Sequence, residues 1–404
     1  MKKSFLLLIV VLFAIQSLIA QRPECLKNVS YALVSQDDIV AAKREMDKCY
    51  PGNEASPEVA LVRANVLLKY YYYELNRKKR EPNYQIKMPD AIVIANESFY
   101  KAIELKPDIK PDFGLMDPKE GQLLTADEIT RLAAGAMNNK NYNEAIKLLN
   151  LVIRSYRVDP KRNAKYLAYA FLDLSSCYKI LGDEANNKKC LLDAAKLNVD
   201  VPDIYLNLYD IYKDEKDTVK CGEILTQAKK IVPDSLSINI KGYELDYFAM
   251  IGDTAKLKAA SLKMYEQYKD NVEVIKIVAG YLVNNKEYLL AEDIINVGLT
   301  LAPEDFDLIQ QMTYRYFYEA VDYDYLKDEK IKNKKWLEAK PLLEKANEIL
   351  GVAVIWAEKA YHIDQNDKKH NIMYSKILVR LALDVPEELQ QKIDSYKQID
   401  SNKQ

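Results

Sequence analysis

Glycine is scarce in this chain, eleven residues in 404, well under the usual share of about 7%. That leaves little material for phosphate-cradling loops, tight hairpins or collagen-like repeats, and a mostly helical chain is the natural reading. Histidine is scarcer still. His362 and His370 stand eight apart with Asp364 and Asp367 between them, which is not the i, i+4 spacing of a helical metal pair, and two imidazoles leave almost nothing for histidine-based acid–base work. No nucleophile elbow, Walker loop, dinucleotide fingerprint or paired-cysteine zinc spacing occurs. No catalytic, metal or cofactor-binding residue is therefore assigned, and the chain reads as a non-enzyme. A charge surplus is also missing, with 58 Lys and Arg against 60 Asp and Glu, so nucleic acid, which usually needs a basic stripe, is a poor partner.

Long apolar runs are absent apart from the first residues. Lys2 and Lys3 precede an unbroken apolar stretch from Phe5 to Ile15, followed by Gln16-Ser17-Leu18-Ile19-Ala20 and the polar Gln21. Eleven apolar residues fall short of the ~20 that a spanning helix needs, and the pattern reads as a secretory signal segment over 1–20, cut between Ala20 and Gln21. Removing two lysines leaves 56 basic against 60 acidic residues. No cysteine lies at the junction, so an acylated lipoprotein start is not expected. The mature chain should carry no transmembrane helix, and peripheral contact with the cell envelope is compatible with it.

Export makes disulfides available to the five cysteines, at 25, 49, 177, 190 and 221. Cys25 opens one short predicted helix and Cys49 ends the next, and an antiparallel pair would bring those ends together. A disulfide there would staple a terminal unit with a neighbour on only one side. Cys177, Cys190 and Cys221 fall on repeat helices, where cysteine commonly serves as a small buried apolar residue.

A period near 34 runs through the middle of the chain. Tyr178, Tyr212, Phe248, Leu282 and Tyr316 are separated by 34, 36, 34 and 34 residues, each closing the apolar stretch of a predicted first helix. Phe171, Tyr205 and Ile275 lie seven residues earlier, and Leu174, Leu208 and Val278 four earlier, giving the stripe of one helical face. Second helices cover that stripe through Leu191 with Ala194, Leu225 with Ala228, and Ile295 with Gly298, where small residues allow close approach. Pro233 and Pro303 end their units.

These residues resemble the tetratricopeptide repeat. Two units carry the pattern best: Tyr205, Leu208, Tyr212, Cys221, Leu225, Ala228, Ile231 and Pro233, then Ile275, Val278, Ala279, Leu282, Tyr288, Ala291, Ile295, Leu301 and Pro303. At 131 to 155, Leu132, Ala133, Ala136, Tyr142, Ala145, Leu149 and Val152 also fit, whereas Glu244 and Ser261 depart from it near 240. The resemblance implies an all-α, right-handed superhelical solenoid of antiparallel helix pairs. The expected organisation is divergent helix pairs over 21–106, a linker over 107–128 read from Pro107, Pro111, Gly114, Pro118 and Gly121, the solenoid over 129–350, C-terminal capping helices over 351–395 and a polar tail over 396–404. Insertions are expected after residue 75 and at about 321 to 335; the first holds the basic run Arg77 to Arg80, read as a solvated loop with phosphate groups of a membrane surface as the alternative.

In such a solenoid, exposed first-helix residues are the default partner contacts. In the family's register these are Tyr169, Ser176 and Lys179, then Asp203, Leu206, Asp210 and Lys213, then Asn239 and Asp246, then Glu273 and Lys276. Thirty tyrosines are a surplus, concentrated at Tyr70 to Tyr73 and at Tyr314, Tyr316, Phe317, Tyr318, Tyr323 and Tyr325. Successive helical positions turn by ~100°, so each cluster should expose at least one ring, and Tyr314, Phe317 and Tyr318 join the candidate contacts. The leading expectation is a scaffold outside the cytoplasm that binds partner-protein segments, within a cell-envelope or secretion assembly. The alternative is a cell-surface protein that captures carbohydrate or peptide on exposed tyrosines. The signal style and the Lys, Asn and Tyr richness suggest a Gram-negative periplasm, outer membrane or secreted location.

Overall fold

The computed structural model describes residues 23–112 and 114–401. The expected signal segment, 1–20, lies outside the described residues. Those residues form eighteen α-helices and no strand: α1 Cys25–Ser30, α2 Ile39–Cys49, α3 Pro57–Arg80, α4 Ala91–Leu105, α5 Pro118–Asn138, α6 Tyr142–Tyr156, α7 Ala164–Ile180, α8 Glu184–Ala195, α9 Pro202–Asp214, α10 Thr218–Ile231, α11 Ile238–Met250, α12 Thr254–Gln267, α13 Val272–Asn284, α14 Tyr288–Leu301, α15 Phe306–Lys332, α16 Trp336–Ile363, α17 Lys368–Arg380 and α18 Glu387–Ser401. Among them, no helix is long and apolar enough to cross a membrane. The chain divides into two compact units after Ile211, within α9.

The turn inside each repeat has a shared construction. Lys140, Gly182, Lys216, Gly252 and Lys286 all adopt a left-handed conformation, with φ of 59°, 76°, 60°, 71° and 64°. An acid or amide follows in all five cases, and in four of them its side chain caps the next helix. Asn141, Asp183, Asp217 and Asp253 cap the second helix by accepting the backbone N–H three residues on, which satisfies a donor that the first turn leaves open. The left-handed residue reverses the chain and the cap starts the next helix, so two positions set each hairpin. The Asn186 amide that Asp183 also holds keeps its carboxyl below the usual range.

In unit 1, α1 and α2 bury Leu26, Val29, Ala42 and Met46 against Val59, Val62 and Val66 of α3. Cys25 and Cys49 are joined by a disulfide with Cα atoms 5.4 Å apart, as the helix-pair reading expected. The linker expected over 107–128 is shorter, because α5 begins at Pro118. Proline at the first helical position needs no hydrogen-bond partner, and Asp117 accepts the N–H groups of Lys119 and Glu120. Gly121 is not a breaker either: a Cβ there would stand 2.4 Å from Cζ of Phe99, so it is the small residue that lets α5 approach α4. The buried stripe of α5 is Ala126, Ile129 and Ala133, with Leu132 exposed.

Arg77 to Arg80, expected in a solvated loop, instead form the last turn of α3. Cations suit the negative end of a helix. Arg77 pairs with Glu81 at 3.2 Å and lies over the Tyr84 ring at 4.2 Å. The following segment is tied down by Glu74, 1% exposed, which accepts the Tyr84 hydroxyl at 2.5 Å and the Lys87 N–H at 2.6 Å.

In unit 2, Leu245, Leu257, Val274, Ile275, Val278, Leu282, Ile295 and Leu308 form one core. The Gly298 Cβ position lies 2.8 Å from Ile275 and Leu308 methyls, so close approach there is real. Glu244 is accommodated by Lys229, 2.5 Å away, and Ser261 is fully buried where the family favours alanine. The insertion expected at 321 to 335 is helical and forms no separate connector, making α15 27 residues long against 13 in α13. α15 runs unbroken through it to Lys332, and only Asn333 to Lys335 separate it from α16. The expected boundary between solenoid and cap at 350/351 falls inside α16, whose Leu350, Ala353, Ala357 and Tyr361 share a core with α15, α17 and α18. The polar tail expected from 396 is helical to Ser401, with Tyr396 accepting from Asn371 at 3.1 Å.

Candidate functional site

The first-helix positions named from the repeat register separate into three environments. In unit 1, α7 turns Tyr169 outward, 46% exposed, and α9 exposes Asp203 one repeat later. Lys165, one turn before Tyr169, pairs with Asp200 at 3.0 Å, and that bond raises the lysine's pKa above its usual value. Lys179 is exposed, while Asp210 is half-buried. Leu206 departs from its expected role: it is buried, at 7% exposure, because α9 is apolar on more than one side, with Ile204, Tyr205, Leu208 and Tyr209 buried as well.

In unit 2, Asn239 is exposed, whereas the charged first-helix residues bind one another. Lys213 holds both carboxylate oxygens of Asp246, at 2.9 and 2.8 Å, a pairing that spans 33 residues and so joins consecutive repeats. Lys276 donates to Asp305 at 3.1 Å and Asp307 at 3.3 Å and pairs with Glu273 at 2.8 Å. Burial alone would lower its pKa, but the three carboxylates outweigh it and hold the ammonium above its usual value. Asp322 receives Lys286 at 2.6 Å and the Tyr288 hydroxyl at 2.8 Å. A lysine whose charge is already neutralised within the fold offers a partner less than an exposed one.

The tyrosine clusters also resolve. None of Tyr70 to Tyr73 is fully exposed: Tyr70 and Tyr71 are buried, and Tyr72 and Tyr73 half-buried, because α3 has neighbours on several sides. Burial beside Glu74 pushes the Tyr70 hydroxyl up to about 12. In the second cluster Tyr314 and Phe317 pack partly into the core. Tyr318 stacks on Tyr314 at 5.7 Å and is 37% exposed, and Tyr325 is 71% exposed.

One group escaped sequence reasoning. Arg315 is 4% exposed, pairs with Glu292 at 2.9 Å and with Glu319, and lies over the Tyr316 ring at 4.0 Å. Tyr316 donates to Glu292 at 2.7 Å, and burial with that bond raises its hydroxyl to about 12. An arginine inside a tyrosine cluster was the available signal. Its partner Glu292 sits on α14, so the pairing needed the tertiary arrangement. Cys177, Cys190 and Cys221 are buried thiols, and burial pushes Cys190 up to about 11, which suits packing and not reactivity. No group of residues fit to hold a metal ion occurs among the described residues.

No protein-family model matches the chain, and no curated protein matches it. Solved structures similar to it include a tetratricopeptide repeat protein from Parabacteroides merdae, 10% identical over 77% of this chain and 98% of that one with a TM-score of 0.40. The C-terminal part of a repeat-containing protein from Cytophaga hutchinsonii is 18% identical over 65% and 99%, with a TM-score of 0.38. YrrB, described as a TPR protein with an unusual peptide-binding site, is 13% identical over 70% and 99%, at 0.31. The chain's own repeat spacing, its paired helices and its shared turns make the fold an all-helical array of tetratricopeptide type.

Proposed function

We propose that this protein is a non-enzymatic scaffold, exported from the cytoplasm, that holds segments of partner proteins on its exposed first-helix face within a cell-envelope assembly. The observation that carries the reading is the face of α7 and the start of α9. Tyr169 and Asp203 occupy the same register position one repeat apart and both are exposed. A rigid ring supplies contact area at little entropic cost, and the neighbouring charges set register and orientation. The signal-like first residues support export, and a Gram-negative periplasm or outer membrane suits that start.

Cross-linking in the native cell, followed by purification and mass spectrometry, tests the proposal. One or two stoichiometric envelope proteins, lost on Tyr169→Ala and Asp203→Lys, are expected. Catalytic turnover by the purified chain on envelope substrates would overturn it. A second reading, capture of carbohydrate or peptide, is favoured by the stacked pair Tyr314 and Tyr318. Glycan binding lost on Tyr318→Ala would support that reading in place of the first.

A further inference from the structure

The α15–α16 hairpin ends in a tip that its own packing does not cover. Every residue from Lys332 to Glu338 is exposed, including Trp336 at 63% and Leu337 at 92%. Large apolar side chains at such exposure, adjacent in sequence at a helix start, have no role in the core beneath them. Their surroundings are basic. Between 327 and 340 the chain carries six lysines, at 327, 330, 332, 334, 335 and 340, against three acids, Asp328, Glu329 and Glu338, while the chain as a whole is slightly acidic. Part of that charge is spent locally, since Lys327 pairs with Asp324 and Asp328, Lys330 and Lys335 with Glu338, and Lys340 with Glu344. Lys332 and Lys334 carry no ion pair among the described residues and flank the tip.

We propose that this tip docks on an anionic lipid surface, with Trp336 and Leu337 entering the headgroup boundary and Lys332 and Lys334 meeting lipid phosphates. The chemistry favours lipid over a folded partner for two reasons. Indole is a ring that settles at a membrane interface, apolar on its body and polar at its N–H. Lysine stems extend along such a boundary while their ammonium groups stay in water. Neither component suffices alone, because stable peripheral attachment takes two signals, and here an apolar pair and a basic cluster occupy one turn. The attachment is peripheral, as no described helix is long and apolar enough to cross a membrane.

Tryptophan fluorescence tests this directly, since the chain has two tryptophans and Trp356 is packed against the unit 2 core. The probe is the chain from residue 21, which keeps every described helix and excludes the apolar start, carrying Trp356→Phe. With vesicles of mixed phosphatidylglycerol and phosphatidylcholine, Trp336 emission should shift to the blue and the protein should sediment with the lipid. Pure phosphatidylcholine vesicles should do neither. Neutralising Lys332 and Lys334 to Gln should weaken vesicle affinity about 30-fold, from roughly 1 kcal/mol for each basic residue at an anionic surface. Leu337→Glu should abolish the shift with the circular dichroism spectrum unchanged. No shift on anionic vesicles, an equal shift on neutral ones, or full binding by Leu337→Glu would overturn the proposal. An equal shift on soluble polyglutamate would also overturn it, replacing lipid with an acidic polymer. Loss of the partner proteins on Tyr169→Ala has no bearing on these outcomes, so this proposal and the scaffold reading fail separately.

Discussion

Gly121→Ala and Gly135→Ala, two substitutions in the same helix, should change stability in opposite directions. Replacing an interior helical glycine with alanine gains about 1 kcal/mol from backbone propensity alone. At Gly135 nothing lies within 4 Å of the added methyl, so that gain should appear nearly whole. At Gly121 the same methyl would stand 2.4, 2.5 and 2.6 Å from three carbons of the Phe99 ring, whereas carbon atoms rest ~3.5–4.0 Å apart. The ring must therefore move by about 1 Å, and Phe99 is fully buried, so its neighbours must move with it. Overpacking of this kind costs typically 1–3 kcal/mol. With the upper figure, the net effect of Gly121→Ala is a loss of about 2 kcal/mol. Urea unfolding followed by circular dichroism measures both changes as midpoint shifts at constant slope. Adding Phe99→Leu should reveal a coupling of about 1 kcal/mol or more in the double-mutant cycle. A Gly121→Ala variant as stabilised as Gly135→Ala would refute the close approach of α4 and α5.

Other outcomes follow from single groups. Burial holds the His370 imidazole below its ordinary pKa of 6.5, against the opposite pull of its bond to the Ala357 carbonyl and of Asp367 and Asp364. Its Nε2 lies 2.8 Å from that carbonyl, with the Phe306 ring edge and Tyr374 beside it. The unfolded chain therefore takes up the proton first as pH drops below 6.5. The stability from neutral His370 should be complete above that pH and lost below it, and His370→Gln should flatten the slope in unfolding measured between pH 7.5 and 5. Removing the Cys25–Cys49 disulfide, which closes a separation of 24 residues, should cost about 3 kcal/mol on the loop-entropy account, seen as faster hydrogen exchange in α1 and α2. Ser261→Ala should stabilise by about 1 kcal/mol, since the buried hydroxyl has no hydrogen-bond partner; a loss in thermal unfolding would contradict this. Lys140→Gly should add up to about 1 kcal/mol by relieving a left-handed backbone, and an unchanged melting temperature would count against that strain.

The helical class, the repeat and the N-terminal staple are legible in residue order alone, because these rest on local chemistry. A spacing near 34 residues through Tyr178, Tyr212, Phe248 and Leu282 marks first helices whatever surrounds them, and Cys25 and Cys49 open and close one short helix pair. The turns were legible too, in Gly182-Asp183 and Gly252-Asp253, for a reader looking for a left-handed residue followed by a cap. Whatever depends on neighbouring helices is not legible there. Pro118 and Gly121 look like breakers until Asp117 caps the helix and Phe99 demands the small residue. Leu206 fits an exposed register position, but α9 is covered on that side, and the Tyr70 to Tyr73 rings are shielded because α3 is packed on several faces. Lys213, Lys276 and Arg315 carry charges that a sequence presents as available, yet each finds its carboxylate on another helix, some thirty residues or one hairpin away. Periodicity fixes which face of a helix points where, whereas exposure and pairing belong to the helices that pack against it.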